Sequence, residues 1–570
     1  MKRLLGAIAA SGLCLLGVVP AGAQGVSTPV VSQENVRHLA TAPGSPTGGH
    51  VVVEGNRLYM GAFGKGLTAF DISNPRSPVR IGQYVPGPSN NDGADPGARS
   101  DSVPDAAVWG GRHIVSFAGT SRASVTQQTE FLDMTDPMNP VLLHRWRGAT
   151  DGEAHNGDIV DARKLWLPSG GSNTNGLRIY DMSPLLQAPP AAPTKLISAN
   201  PHVLWQSSPY KEFYNKPVGG SFNHTHDIEI YADREIELPP WEWVDQNGDG
   251  TPDPTRGLRD IALLAAAGGG NASGAVYVID ITKPAEPVVI SKWQNPTGAG
   301  HNAIAYLHEA QFLHGDPNTI FVADEDMTSG CNEGRVYSFS ISDNLAHVAK
   351  LGEWAVGAGQ QDTPATCLGA HVFSSHNRHV FMGAYAAGLQ IIDMRNPAQP
   401  VRAGRYIAEG QNSWGALYHK GFVYTGDLGA RGLDVFEFIQ DPAAKGILKV
   451  SNPASRLAAV GGGVSELAGA CKSDAATNDV DGLFVTIPAA QRGGGFDLRA
   501  VGSSSAPFDL DAYFWSAECG YLGSIADAVP EASGDLRGAI PEEAAFAYVD
   551  LFAGTPQWVY AQILPTGSPA

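Results

Sequence analysis

Apolar and polar positions alternate with a period of two along most of this chain, the pattern of half-buried strands. One alternating unit recurs: "GLTAFDISNPRSPVRIGQY", "TEFLDMTDPMNPVLLHRW", "GLRIYDMSPLLQAPPAAPTKLIS", "AVYVIDITKPAEPVVISKW", "RVYSFSISDNLAHVAKLGEW", "GLQIIDMRNPAQPVRAGRY" and "GLDVFEF". Each reads as strand, proline-containing turn, strand. An acidic residue closes the first strand at Asp71, Asp133, Asp181, Asp280, Asp393 and Glu437, with Ser340 in the fifth copy. Its carboxylate is placed to accept N–H groups of the following turn, a structural role. A second unit precedes each of these, as in "GHVVVEGNRLYMGAF", "HDIEIYADREI" and "AHVFSSHNRHVFMGAY", and reads as a hairpin.

Hairpin plus strand-turn-strand makes four antiparallel strands. Seven copies at a period of roughly 45–60 residues predict an all-β fold, a seven-bladed β-propeller. A β-solenoid is the alternative, but its repeats are shorter and lack the four-strand unit. The seventh copy has no outer strand after "GLDVFEF". The early segment "ENVRHLATAP" matches the outer-strand run "SPVRIGQYVP", so residues 34–41 are expected to supply that strand. Such a closure removes an exposed sheet edge.

The first residues, MKRLLGAIAASGLCLLGVVPAGAQG, have a basic start, an apolar stretch and a small-x-small site at Ala21–Ala23, so 1–23 read as a signal peptide. The propeller is expected over 24–440, a linker over 441–460 and a small β-sandwich over 461–570, with strand-like runs "GLFVTIPA", "FDLRAVG", "FDLDAYFWSA", "AFAYVDLFAG" and "QWVYAQIL". No other segment approaches the ~20 apolar residues of a membrane span. The 38 basic and 57 acidic residues give −19, and loss of Lys2 and Arg3 with the leader makes it about −21. That charge disfavours nucleic acid and anionic membrane as partners. The expected location is therefore periplasmic or extracellular. Cys331, Cys367, Cys471 and Cys519 remain, and an even number in an exported chain favours disulfides, paired by proximity as Cys331–Cys367 and Cys471–Cys519.

The phrase "GLxxxDISNPxxPVxxG" resembles the LVIVD-repeat family of exported propeller proteins over about residues 34–440. The resemblance implies the fold and little about activity. "FDLDAYFW" followed by "IPEEAAFAYVDLFAG" resembles the jelly-roll domains that follow secreted bacterial peptidases, which implies surface or partner binding. Asp509 and Asp511 share one face of that strand and are either a cation pair or two solvated edge carboxylates.

Two candidate sites carry chemistry. In "DQNGDGTPD", Asp245, Asn247, Asp249, the Thr251 carbonyl and Asp253 alternate as oxygen donors around Gly250, which suits calcium. Position twelve is Arg256 where an EF-hand has Glu, so the alternative is an acidic glycine turn. The second is histidine-rich. The heads of the innermost strands carry His50, Asp105, His155, His226, His308, His371 and Gly415 with Trp414, and these converge at one channel mouth in a propeller. His224 lies two residues before His226, with Cα atoms roughly 6.6 Å apart in an extended strand, so both could reach one metal. His314 belongs to the turn. Imidazoles favour copper, zinc, iron or nickel. The plainer reading is that each histidine hydrogen-bonds to the neighbouring blade.

H-E-x-x-H, G-x-S-x-G, P-loop and Rossmann signatures are absent from the sequence. The balance favours an exported binding or scaffold protein with a structural calcium ion, acting on an extracellular or cell-surface protein or polymer. The alternative is a metal-dependent enzyme, an oxidoreductase by analogy of architecture with other exported propellers, holding a small molecule at the channel.

Overall fold

The computed structural model describes residues 29–42, 48–62, 66–86, 99–121, 128–147, 156–169, 176–214, 224–267, 274–294, 307–325, 334–356, 368–429 and 431–438, and the backbone of nine strands beyond 445. The expected signal peptide and all four mature cysteines lie outside the described residues, as does His155.

Seven antiparallel sheets follow one another from residue 51 to 438 and form the blades of a propeller. Blade one shows the unit: Val51–Glu54, Arg57–Ala62, Gly66–Asp71 and Val79–Tyr84, paired in that order. The middle strands are almost wholly buried while outer strands expose residues such as Val79 and Val401. Large aromatic pairs fill the space between blades. Phe131 meets Trp166 edge-on at 4.9 Å between blades two and three. Trp293 meets Phe339 at 4.6 Å between four and five, and Phe321 meets Phe373 at 4.7 Å between five and six.

The recurring acid does what its position implies. Asp71, Asp133, Asp181, Asp280 and Asp393 each accept the backbone N–H two residues on, at 2.8–3.0 Å. The turn that follows closes on its own i→i+3 bond, as in Ser77 N–H to Asn74 O at 2.9 Å. In the fifth copy Ser340 reaches across to Ala349 O instead. The recurring glycine of the outer strand also has a reason. A Cβ on Gly82 would lie 1.8 Å from Pro137 O, in the turn of the next blade, and one on Gly352 would lie 2.6 Å from Ala398 O. Only a residue without a side chain lets the neighbouring turn pack there.

The ring closes as expected. Val36–Thr41 pairs antiparallel with Gly432–Phe438 of blade seven, Val36 opposite Phe438. One feature was not anticipated: Val30–Glu34 pairs with Val401–Ala408 as a fifth strand of blade six. The chain passes from one blade to the next at Asn35, whose φ of 50° is a left-handed conformation that asparagine tolerates. Its side-chain amide donates to Ala403 O at 2.8 Å.

Between blades three and four, short helices Pro201–Gln206 and Pro209–Phe213 are capped by Asn200 and Ser208, which accept from His202 N–H and Tyr210 N–H. They bury Trp205 and Tyr210 in the core cluster of blade four. The oxygen-rich loop joins the long strands His224–Glu237 and Arg256–Ala267.

Beyond the propeller the strands form two sheets. One runs Ala458–Val460, Gly446–Val450, Trp558–Pro565, Phe496–Ser503, Glu531–Leu536, and the other Asp481–Thr486, Ala544–Ala553, Asp509–Ser516, Tyr521–Asp527. Gly446–Val450 pairs with Trp558–Pro565, so this part starts inside the segment expected as a linker. The side chains of Asp509 and Asp511 lie outside the described residues.

Candidate metal centre

The innermost strands of blades four to seven do not start as regular strands. The pairing register shifts between Thr225 and Asp227, between Leu307 and Glu309, and between Ser413 and Gly415. The extra residue at each bulge is His226, His308 and Trp414. A bulge breaks the strict alternation of faces. It therefore lets the extra residue and its successor both serve the channel. In blade six His371 sits just before Phe373–His376, held by its N–H to Gly383 O at 3.1 Å.

Three imidazoles from three successive blades thus stand in an arc. His226 and His308 have ring centroids 4.0 Å apart, as do His308 and His371. Trp414 continues the arc at 4.2 Å from His371. All three histidines are buried. Glu325, just past the strand Asp316–Asp324, faces them with one oxygen on each side. His226 Nε2 is 4.0 Å from Oε2, and His371 Nε2 is 3.8 Å from Oε1. Ligand atoms of His226, His308 and Glu325 all fall within 4.8 Å of one another.

The orientation of this set is fixed from outside. His371 Nδ1 is 2.6 Å from the Trp414 carbonyl oxygen. A carbonyl only accepts, so Nδ1 carries the proton and donates it. In the neutral ring Nε2 then holds the lone pair, on the side of Glu325. Tyr385 donates its hydroxyl to Glu325 Oε1. A neutral imidazole nitrogen and a carboxylate oxygen held face to face at 3.8 Å are suited to a shared cation.

Past the histidines lies a channel cavity of about 640 Å³. Its walls include Asp227, Glu309 and Val372, each one residue after a clustered histidine, so the arc sits at its head. Asp105, Asp158 and Glu229 also line it, with His50. Among the described residues the lining holds five carboxylates and no lysine or arginine. Asp105 accepts from Ala106 N–H and Ile159 N–H. Gln311 donates to Glu229 at 3.2 Å and to Glu309 at 2.6 Å. Enclosure in the channel wall, and after it repulsion from Asp227 and Asp105, pushes Glu229 up to about 8. Burial, and after it repulsion from Glu229, raises Glu309 and Asp158 well above the usual carboxylate range.

Residues 48–85 and 380–408 match the profile of the LVIVD repeat. The protein is a seven-bladed propeller that carries LVIVD repeats in two of its blades. The two stretches are blade one and three strands of blade six. No curated protein matches the chain. Among solved structures, a Lactobacillus plantarum protein is 11% identical over 73% of this chain and 94% of its own, with a TM-score of 0.38. A functionally unknown protein from Desulfotomaculum acetoxidans is 11% identical over 64% of this chain and 86% of its own, TM-score 0.36. The Neurospora crassa Pan2 WD40 domain is 9% identical over 73% and 98%, TM-score 0.39. Likenesses this distant carry no argument about function.

Of the residues singled out in the LVIVD-repeat propeller by sequence, His226, His308 and His371 come together. His50 and Asp105 line the cavity. His224 pairs through its backbone with Ala267, and its side chain lies outside the described residues. His314 is in its turn, where it stacks on His376 at 4.6 Å and accepts Asn377 N–H. Sequence reading missed Glu325, Tyr385, Asp227, Glu229, Asp158 and Glu309. A signal existed for two of them: in blades four and five an acid directly follows the histidine. Glu325 and Tyr385 had none, because only the fold brings them to the arc.

In the oxygen-rich loop, Asp245 accepts Gly248 and Gly250 N–H at 2.7 and 2.8 Å, and Asp249 accepts Thr251 N–H at 2.8 Å. Asn247 accepts Asp249 N–H, and Asp253 accepts Gln246 N–H, both at 2.9 Å. The loop is exposed, and its carboxylates are not among the described clusters whose ligand atoms lie within 4.8 Å of one another.

Proposed function

We propose that the protein is an exported metalloenzyme with a first-row transition ion at the head of its propeller channel, held by His226, His308, His371 and Glu325. The observation that carries this is the convergence of three buried imidazoles from successive blades on one buried carboxylate. Histidine-rich sets with one carboxylate suit iron, copper, zinc or nickel, not calcium. The adjoining cavity is of ligand size. Its acidic walls favour a neutral or cationic small molecule over an anionic one. The ion supplies Lewis-acid or redox chemistry when bound. The chain's part is to orient the imidazoles through Trp414, to hold Glu325 through Tyr385, and to keep the head of the channel dry.

Elemental analysis of protein purified without a His tag tests this. At least one equivalent of transition metal is expected, and His371→Ala and Glu325→Gln should each hold one equivalent less than wild type. Protein that stays metal-free after incubation with each candidate ion, or that carries calcium alone, would sink the reading. The second reading is a binding or scaffold propeller, with calcium at Asp245, Asn247, Asp249, Thr251 and Asp253. Asp245 gathers two N–H groups of that loop, which is compatible with this reading. Calcium-dependent protection of 238–255 from proteolysis supports that ion, and protection unaltered by chelator removes it. Disulfides at Cys331–Cys367 and Cys471–Cys519 belong with export and are checked by non-reducing peptide mapping.

A further inference from the structure

His308 belongs to a second buried cluster. Ligand atoms of Asp227, His308 and Glu309 also lie within 4.8 Å of one another, and all three residues are buried. The bulges that project His226 and His308 are the reason, since Asp227 and Glu309 are their immediate successors. Both carboxylates are held in place by donors. Asn156 Nδ2 and Ile228 N–H donate to Asp227 at 2.8 and 2.9 Å. Gln311 Nε2 and Phe373 N–H donate to Glu309 at 2.6 and 3.1 Å. Ligating carboxylates are hydrogen-bonded in this way by outer groups that set their direction.

Charge points the same way. Five carboxylates meet around one cavity, with no lysine or arginine among the described residues of its wall. Enclosed like charges are costly unless a cation or protons compensate them. Asp227 and Glu309 stand beside the His308 imidazole, so a cation there gains a nitrogen ligand as well as two oxygens. An imidazole carries its two nitrogens on different edges of the ring, and one ring can serve two ions when the second ion displaces the N–H proton to solvent, which leaves a bridging imidazolate.

We propose that the channel holds two divalent transition ions side by side, one on His226, His371 and Glu325, the other on Asp227 and Glu309, with His308 shared between them. This rests on the reading of the first cluster as a metal centre. The sets differ in character: the first is nitrogen-rich, while the second is richer in oxygen and suits manganese or iron(II) better than the first does, with zinc still the tighter binder.

The test uses the full-length chain without a tag, stripped with chelator and reloaded with Zn²⁺ alone. Excess calcium is present to occupy the exposed loop. Metal content is read by plasma emission and the binding steps by titration calorimetry. Wild type is expected to hold two zinc ions per chain. The pair Asp227→Asn with Glu309→Gln is expected to hold one, and so is the pair Glu325→Gln with His371→Ala. One zinc per chain in wild type, unchanged by the Asp227 and Glu309 substitutions, overturns the proposal and leaves the first centre standing. No zinc in wild type overturns both. The wild-type count decides the matter even if a buried substitution disturbs folding, which circular dichroism reports.

Discussion

Tyr385 donates its hydroxyl to Glu325 Oε1, and its ring packs 5.0 Å from that of His371. Tyr385→Phe keeps the packing and removes the donor. Loss of such an outer hydrogen bond lowers metal affinity by about 10–100-fold. Competition against a chromogenic chelator should show that drop with the fold intact. Asp71 makes a different kind of contact: its carboxylate serves only its own turn, through Ser73 N–H and Oγ. Asp71→Ala should cost about 0.5–1.5 kcal/mol in urea unfolding. Asp71→Asn keeps an acceptor oxygen and should cost less. Equal losses would show that charge matters there, and not the turn.

At the scale of elements, the closing strand depends on one buried network. Asp434 in blade seven accepts from His38 at 2.8 Å and from Thr41, both in Val36–Thr41, and from Arg431 at 2.6 Å. Burial alone would raise Asp434, but the hydrogen bonds from His38 and Arg431 and the Arg431 charge hold it below the ordinary 3.8. A carboxyl lowered on folding stabilises the fold above its unfolded value. Its contribution is therefore intact above pH 3.8 and is lost as pH falls below that towards the lower folded value. Asp434→Ala leaves Arg431 buried without its partner and should cost about 3–5 kcal/mol. Hydrogen exchange should show the loss first in 36–41 and 432–438. The outer strands make a second test. Gly82→Ala places a Cβ 1.8 Å from Pro137 O, which backbone cannot yield cheaply. About 1–3 kcal/mol of destabilisation is expected.

For the whole molecule, the two N-terminal strands should differ in importance. Val30–Glu34 is a mostly exposed fifth strand on a blade that already has four, whereas Val36–Thr41 supplies the fourth strand of blade seven and buries Val36. Deleting the chain through Glu34 should leave a folded propeller with a slightly lower melting point. Deleting through Thr41 should open the ring, read as a large loss of melting temperature and a rise in hydrodynamic radius. A metal at the channel head links three blades, so it stabilises the folded state by mass action, about 2.7 kcal/mol at one hundred times its dissociation constant. Chelation should lower the melting temperature accordingly, and should lower it less in His371→Ala protein, which no longer binds the ion on His226, His371 and Glu325.

The repeat, the seven blades, the turn aspartates and the closing strand, expected at 34–41 and found at Val36–Thr41, could all be read from sequence, because each rests on contacts within one unit or on a copy of one. Period-two alternation needs only neighbours along the strand, and an Asx turn needs only two residues. The channel histidines could be read as far as their shared place at the strand heads. Their chemistry could not. Alternation placed His224 and His226 on one face, but the bulge at His226 suspends alternation at that residue. It gives His226 its partners across the channel, His308 and Glu325, from another blade. Glu325 and Tyr385 are 60 residues apart in sequence and meet only when blades five and six stand side by side. Sequence thus determined the units and the ring they build. Tertiary structure decided which side chains share the axis, because that depends on how each strand head is bent towards a neighbour far away along the chain.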